Sequence, residues 1–195
     1  MKSDKTLSLS TCHSSLITHL MKHIALLRGV NVGGNTKLNM ADLRATCERL
    51  GLENVKTYIN SGNVAFKSED ADTDRLASQI HDAILDDFRL DVSVMVRSID
   101  EMQLIVANNP FNGQFDNHKN MHVFFLADEL PDEKLRLLLE KNCEAEKIAV
   151  KGRTVYCLLN ISILESALGK GFLDKKLKVP ATARNWRTVT SLSKM

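Results

Sequence analysis

Arg28-Gly29-Val30-Asn31-Val32-Gly33-Gly34-Asn35 places three glycines within six residues, directly after the apolar run that begins at His23. Glycine lets main-chain N–H groups approach a ligand and adopt positive φ. Successive N–H groups of this kind form an anion-binding nest, to which Arg28 and Lys37 would add charge. The chemistry implied is capture of a small anion, with Gly29, Asn31, Gly33 and Gly34 lining the site. The segment is not a phosphate-binding P-loop, since no Gly-Lys-Ser/Thr follows, and it lacks the G-x-G-x-x-G dinucleotide spacing. The bland alternative is a tight strand-to-helix connection with Arg28 paired to a carboxylate.

Two further segments carry candidate residues. Ser61-Gly62-Asn63 either faces a ligand through Ser61 and Asn63 or is a hairpin turn that needs Gly and Asn. Thr182-Ala183-Arg184-Asn185-Trp186 holds the chain's one Trp between Arg184 and Arg187. Trp186 could stack a ligand ring or an arginine, with Arg184 and Asn185 as polar partners, or it could anchor a terminal helix. No catalytic group is assignable, because a G-x-S-x-G elbow and a Ser/His/Asp grouping are both missing. No metal and no cofactor are expected: His118 and His122 are four apart, but no Cys or carboxylate cluster completes a site.

The elements that would position these residues can be read from periodicity. His23–Arg28 reads as a buried strand. Asn39 and Asp42 stand as in a capping box, opening a helix with Met40, Leu43, Cys47 and Leu50 at helical spacing and Gly51 as the stop. Val55–Ile59 and Val64–Lys67 flank the Asn60–Asn63 turn as a hairpin. A helix from Thr73 to Phe88 carries Leu76, Ile80, Ile84 and Phe88, and Val92–Arg97 alternates as a strand. The order β-α-β-β-α-β predicts a ferredoxin-like four-stranded antiparallel sheet with two helices on one face. Antiparallel pairing would bring the end of the first strand beside the Ser61–Asn63 turn.

The remainder predicts a second α+β half. Ser98 and Glu101 cap a helix that stops at Asn109-Pro110, and Met121–Leu126 is a strand. Pro131 suits the first turn of a helix carrying Leu135, Leu138 and Leu139. Ile148–Val150 and Thr154–Leu159 form a hairpin, Ser162-x-x-Glu165 opens another capped helix, and Thr182 caps a last helix through Leu192. The expected division is residues 21–98 and 99–195, closely packed and preceded by a Ser/Thr-rich tail or upstream extension at residues 1–20.

Composition limits the function classes. Hydrophobic residues make up 44% of 195, enough for a sizeable core, and no apolar run approaches the roughly 18–20 residues needed to span a bilayer. Net charge is +2, but residues 1–150 carry −5 and residues 151–195 carry +7. Such a basic segment holds an anion or docks on the acidic body. Cys12, Cys47, Cys143 and Cys157 form no C-x-x-C pair, which reads as a reduced, cytoplasmic protein without a disulfide framework.

The chain resembles the bacterial domain-of-unknown-function family 1697. The residues that carry the resemblance are Leu27–Gly34, Met40-x-x-Leu43, Thr57–Val64, Asn109-Pro110-Phe111 and Thr182-x-Arg184-Asn185-Trp186-x-Thr188-Val189. It implies an α+β protein with a ferredoxin-like half, and it transfers motif positions without a chemistry. Many members carry Thr where this chain has Ala183 and Gln where it has Asn60, so no hydroxyl role carries over at Ala183. The leading expectation is a binding module for a small anionic or phosphorylated ligand. The rival is an enzyme acting on a nucleotide or phosphorylated metabolite. A third reading, RNA binding on the sheet face, has little support: the first strand has no aromatic and the third offers only Phe66.

Overall fold

The computed structural model describes residues 20–32 and 36–195. The expected tail at residues 1–20 therefore lies almost wholly outside the described residues, as do Gly33 and Gly34. The first half runs β1 (Met21–Leu27), α1 (Met40–Arg49), β2 (Glu53–Thr57), β3 (Asn63–Ser68), α2 (Thr73–Phe88) and β4 (Val94–Ser98). Its strands pair antiparallel in the order β2-β3-β1-β4, the ferredoxin-like arrangement. Local signals start the helices. Asn39 Oδ1 accepts from Ala41 N at 2.8 Å, and Asp72 accepts from the Asp74 and Arg75 amides. Leu76, Ile80 and Ile84 form the buried stripe of α2.

β2 begins two residues before the expected Val55 and stops at Thr57. Its pairing with β3 shifts register between Glu53 and Lys56, with Asn54 at φ 52°, the mark of a bulge. Ile59, expected in the strand, sits at φ 49° in the turn.

The second half runs α3 (Ile99–Ala107), β5 (Met121–Leu126), α4 (Asp132–Leu139), β6 (Glu146–Lys151), β7 (Thr154–Leu159), β8 (Ala181–Asn185) and α5 (Trp186–Leu192). Both bonds of the Ser98/Glu101 capping box are made. The second sheet is antiparallel in the order β6-β7-β5-β8, the same order as the first. The two halves are thus one topology twice. Ile24 faces Arg97 as Val123 faces Arg184, and Leu26 faces Asn63 as Phe125 faces Thr154. Leu27 N donates to Gly62 O (2.8 Å) as Leu126 N donates to Arg153 O (3.0 Å).

Three expectations fail in this half. Pro131 takes the N-cap position of α4, not its first turn. The capped helix at Ser162–Glu165 is replaced by turns and a π-helical turn, Phe172–Lys176. The buried Glu146 carboxylate accepts from the Ala167 amide (2.8 Å) and the Leu168 amide (3.2 Å), and a Cβ on Gly169 would lie 1.6 Å from Ile163 O. Thr182 does not cap the last helix: it pairs with Phe125 inside β8, and Asn185 Oδ1 caps α5 through Thr188 N at 2.9 Å. The register of β8 on β5 takes Thr182 into the sheet.

Three apolar layers hold the fold. One lies between α1, α2 and the outer face of the first sheet, and another under α4 and the π-helical turn on the second. The third is shared: Ile24, Leu26 and Met95 of the first sheet meet Val123, Phe125 and Tyr156 of the second, with α3 and α5 at their sides. Cys47 and Cys157 are buried and free, and burial pushes the Cys47 thiol up to about 12. Among the described residues no helix is long and apolar enough to cross a membrane.

Candidate functional site

The end of β1 and the turn before β3 lie together, as antiparallel pairing requires, and Arg184 of β8 reaches them from the second sheet. What they form is a buried hydrogen-bonded knot. Arg184 is 7% exposed and all of its N–H groups are occupied by the protein. Its Nε donates to Asn63 Oδ1 (2.5 Å), and Nη1 donates to Thr182 Oγ1 (2.7 Å) and Ala183 O (2.8 Å). Nη2 donates to Leu27 O, Ser61 O and Gly62 O at 2.8, 3.0 and 3.2 Å. Desolvation lowers the Arg184 guanidinium to about 10, which leaves it charged at neutral pH. Asn63 completes the turn by donating to Tyr58 O (3.0 Å) and Ser61 Oγ (3.1 Å). Gly62 is required twice over: its φ is +70°, and a Cβ would stand 2.3 Å from Val30 Cγ2.

Asn31 ties the glycine-rich segment to this knot. At φ 54° its amide donates to Leu38 O and Asn60 O, both at 2.8 Å, and accepts from Leu38 N at 3.0 Å. Asn185 caps α5, and Trp186, 7% exposed, packs in the shared core with Phe115 edge-on at 6.0 Å. Asn63, Arg184 and Trp186, singled out as ligand contacts, thus spend their polar groups and rings within the fold, while Ser61 Oγ accepts from Asn63 and the exposed Asn185 engages its Oδ1 as the cap. Arg28, Gly29 and Lys37 differ. Lys37 is exposed. Arg28 and Gly29 line a cleft of about 270 Å³ together with Thr182, Gly171 and Asp174. Arg28 Nη2 lies 3.0 Å from Asp174 Oδ1, the carboxylate pairing named above as the bland alternative.

The knot has a counterpart that the sequence does not announce. Arg97 of β4, 2% exposed, donates through Nη2 to Leu126 O (2.5 Å) and Arg153 O (3.2 Å). These carbonyls correspond to Leu27 O and Gly62 O. Each half therefore sends one arginine into the other. Arg153 adds ion pairs to Asp74 (2.7 Å) and Glu101 (3.3 Å), so part of the basic C-terminal segment docks on the acidic body.

A second basic feature was missed. A groove of about 450 Å³ is bordered by Lys22, Lys56, Lys67 and Lys194 over a floor of Ile24 and Ala65. Register explains it. Lys56 pairs with Ala65 and Ala65 with Ile24, whose side chains join the shared core, and Lys67 pairs with Lys22 one row further out. The lysines therefore stand where the inner face of the first sheet emerges from under the second, and the end of α5 brings Lys194. No aspartate or glutamate lines the groove among the described residues. Lys22 Nζ donates to Met195 O at 3.1 Å, and none of the four lysines has an aspartate or glutamate carboxylate within 4.0 Å among the described residues. The available signal was the outward alternation of lysine with apolar residues at Lys22/Ile24 and Ala65/Lys67. Phe66 is buried and stacked on His23 at 5.5 Å, so it offers no face to a base.

A family model described as "Protein of unknown function (DUF1697)" matches residues 20–156. No curated protein matches the chain. Among solved structures, that of the conserved bacterial protein SP0830 from Streptococcus pneumoniae is similar, with a TM-score of 0.72 and 24% sequence identity. The likeness covers 90% of this chain and 98% of that one, and what it shows is a common fold.

Proposed function

The chain belongs to the DUF1697 family of proteins of unknown function, and from its geometry we propose that it is a binding module for a small anionic, phosphorylated ligand held in the lysine groove. One observation carries the reading: four ammonium groups border one concavity without an aspartate or glutamate side chain among its described lining residues. Lysine is a compact point charge suited to phosphate, and the volume of about 450 Å³ falls within the roughly 300–1,000 Å³ of small-molecule sites. A second reading keeps the glycine-rich loop, because the Arg28 side chain is 40% exposed and lines a cleft of its own. There the ligand would compete with Asp174 for the guanidinium, with Gly29 and Lys37 as neighbours.

Calorimetric titration with pyrophosphate distinguishes the two. Binding is expected in the wild type, lost in Lys22→Ala/Lys67→Ala and retained in Arg28→Ala, with the thermal midpoint rising on saturation. A ligand at 100 times its Kd adds about 2.7 kcal/mol. Loss in Arg28→Ala alone moves the site to the loop, and no binding in the wild type overturns both. Phosphate release during the same incubations would make the protein the enzyme of the rival reading.

A further inference from the structure

Resting on the lysine-groove reading, we infer that the ligand is an extended phosphate chain, a di- or triphosphate, recognised without regard to any attached base. Lys22 and Lys67 are direct cross-strand partners, and like charges so placed are destabilising. Lys56 stands one row further in, opposite Ala65. Neighbouring strands are about 4.8 Å apart and successive same-face residues about 6.7 Å, so the Lys56 and Lys22 backbones are separated by roughly 12 Å across the sheet. Lys194 closes the groove from α5. A single phosphate satisfies part of such a line of charges, whereas a chain of phosphates presents oxygens to all of it.

The bulge supports the assignment. Asn54, at φ 52°, lines the groove where β2 changes register, and bulges of this kind re-aim side chains. Glu53 is the nearest acidic cross-strand neighbour, opposite Lys67, but it does not line the groove and has no lysine within 4.0 Å among the described residues. The rings at the groove, His23 and Phe66, are buried against each other, which leaves no aromatic face for a base.

The experiment is a titration series of orthophosphate, pyrophosphate, tripolyphosphate, ATP and GTP against the full chain. Affinity is expected to rise with chain length, with tripolyphosphate, ATP and GTP within about threefold of one another. Lys56→Ala and Lys194→Ala should each weaken tripolyphosphate about tenfold, the value of one charge-assisted contact, and orthophosphate less than twofold. Lys22→Glu should raise the melting temperature of the ligand-free protein while abolishing binding, a signature that a purely structural lysine would not give. Orthophosphate binding as tightly as tripolyphosphate overturns the chain inference and leaves the anion reading standing. Base-dependent affinity, or a short RNA outcompeting tripolyphosphate, also overturns it. Silence across the series removes both readings.

Discussion

Arg184 shows how a residue suited to ligand binding can be wholly engaged by its own fold. Its guanidinium donates to Leu27 O, Ser61 O, Gly62 O and Asn63 Oδ1 at the end of β1 and the adjoining turn, sharing Gly62 O with Leu27 N. Removing one side of such an arrangement costs more than the bonds themselves contribute, because the abandoned acceptors stay buried. Arg184→Ala is therefore expected to lower unfolding stability by about 1–3 kcal/mol, the cost of a buried acceptor left without its donor, read as a shift in urea midpoint at unchanged slope. Arg184→Lys should recover only part of the loss, since one ammonium has three donors and cannot match the planar fork.

At the scale of elements, the two central strands carry matching histidines. Both ring nitrogens of His23 of β1, and Nδ1 of His122 of β5, are buried without a hydrogen-bond partner. Desolvation lowers both below the ordinary histidine value of 6.5, and for His23 the nearby Asp70 and Glu101 only partly oppose it. Because the folded state is the poorer proton acceptor, the unfolded chain binds more protons below about pH 6.5. Stability should be flat between about pH 7 and 8 and fall from about pH 6.5 downward. Thermal melts at pH 7.5 and 5.5 check this, and His23→Phe should shrink the difference between them. A midpoint that rises on acidification would contradict the assignment. The other element-scale feature is the missing helix between β7 and β8. There Glu146 supplies acceptors to the Ala167 and Leu168 amides, and the chain turns back through Gly169 and Gly171.

For the whole molecule, the duplicated topology and the exchanged arginines make the halves one cooperative unit. The shared core draws on both inner sheet faces, and Arg97 and Arg184 cross it in opposite senses. Arg97 makes fewer bonds than Arg184, so Arg97→Ala should cost less than Arg184→Ala. The double variant is expected to separate unfolding into two transitions, visible as non-coincident melts of the near-ultraviolet signal of Trp186 and the far-ultraviolet signal. A single coincident transition would mean that the shared core alone couples the halves.

The sequence by itself determined what short-range physics enforces. The stripe of α2, the capping box at Ser98, the strand Met121–Leu126 and the first sheet's β-α-β-β-α-β order follow from periodicity and caps within a few residues. The nearness of the glycine-rich segment to Ser61–Asn63 followed from antiparallel pairing alone. Only the tertiary structure decided that Thr182 belongs to a strand, that Arg184 is buried and that four lysines scattered from Lys22 to Lys194 border one groove. Those outcomes depend on which sheet face covers another and where the cover stops. Desolvation and charge convergence are set by partners a hundred or more positions away, as Arg184 and Leu27 are, and no local spacing encodes that distance.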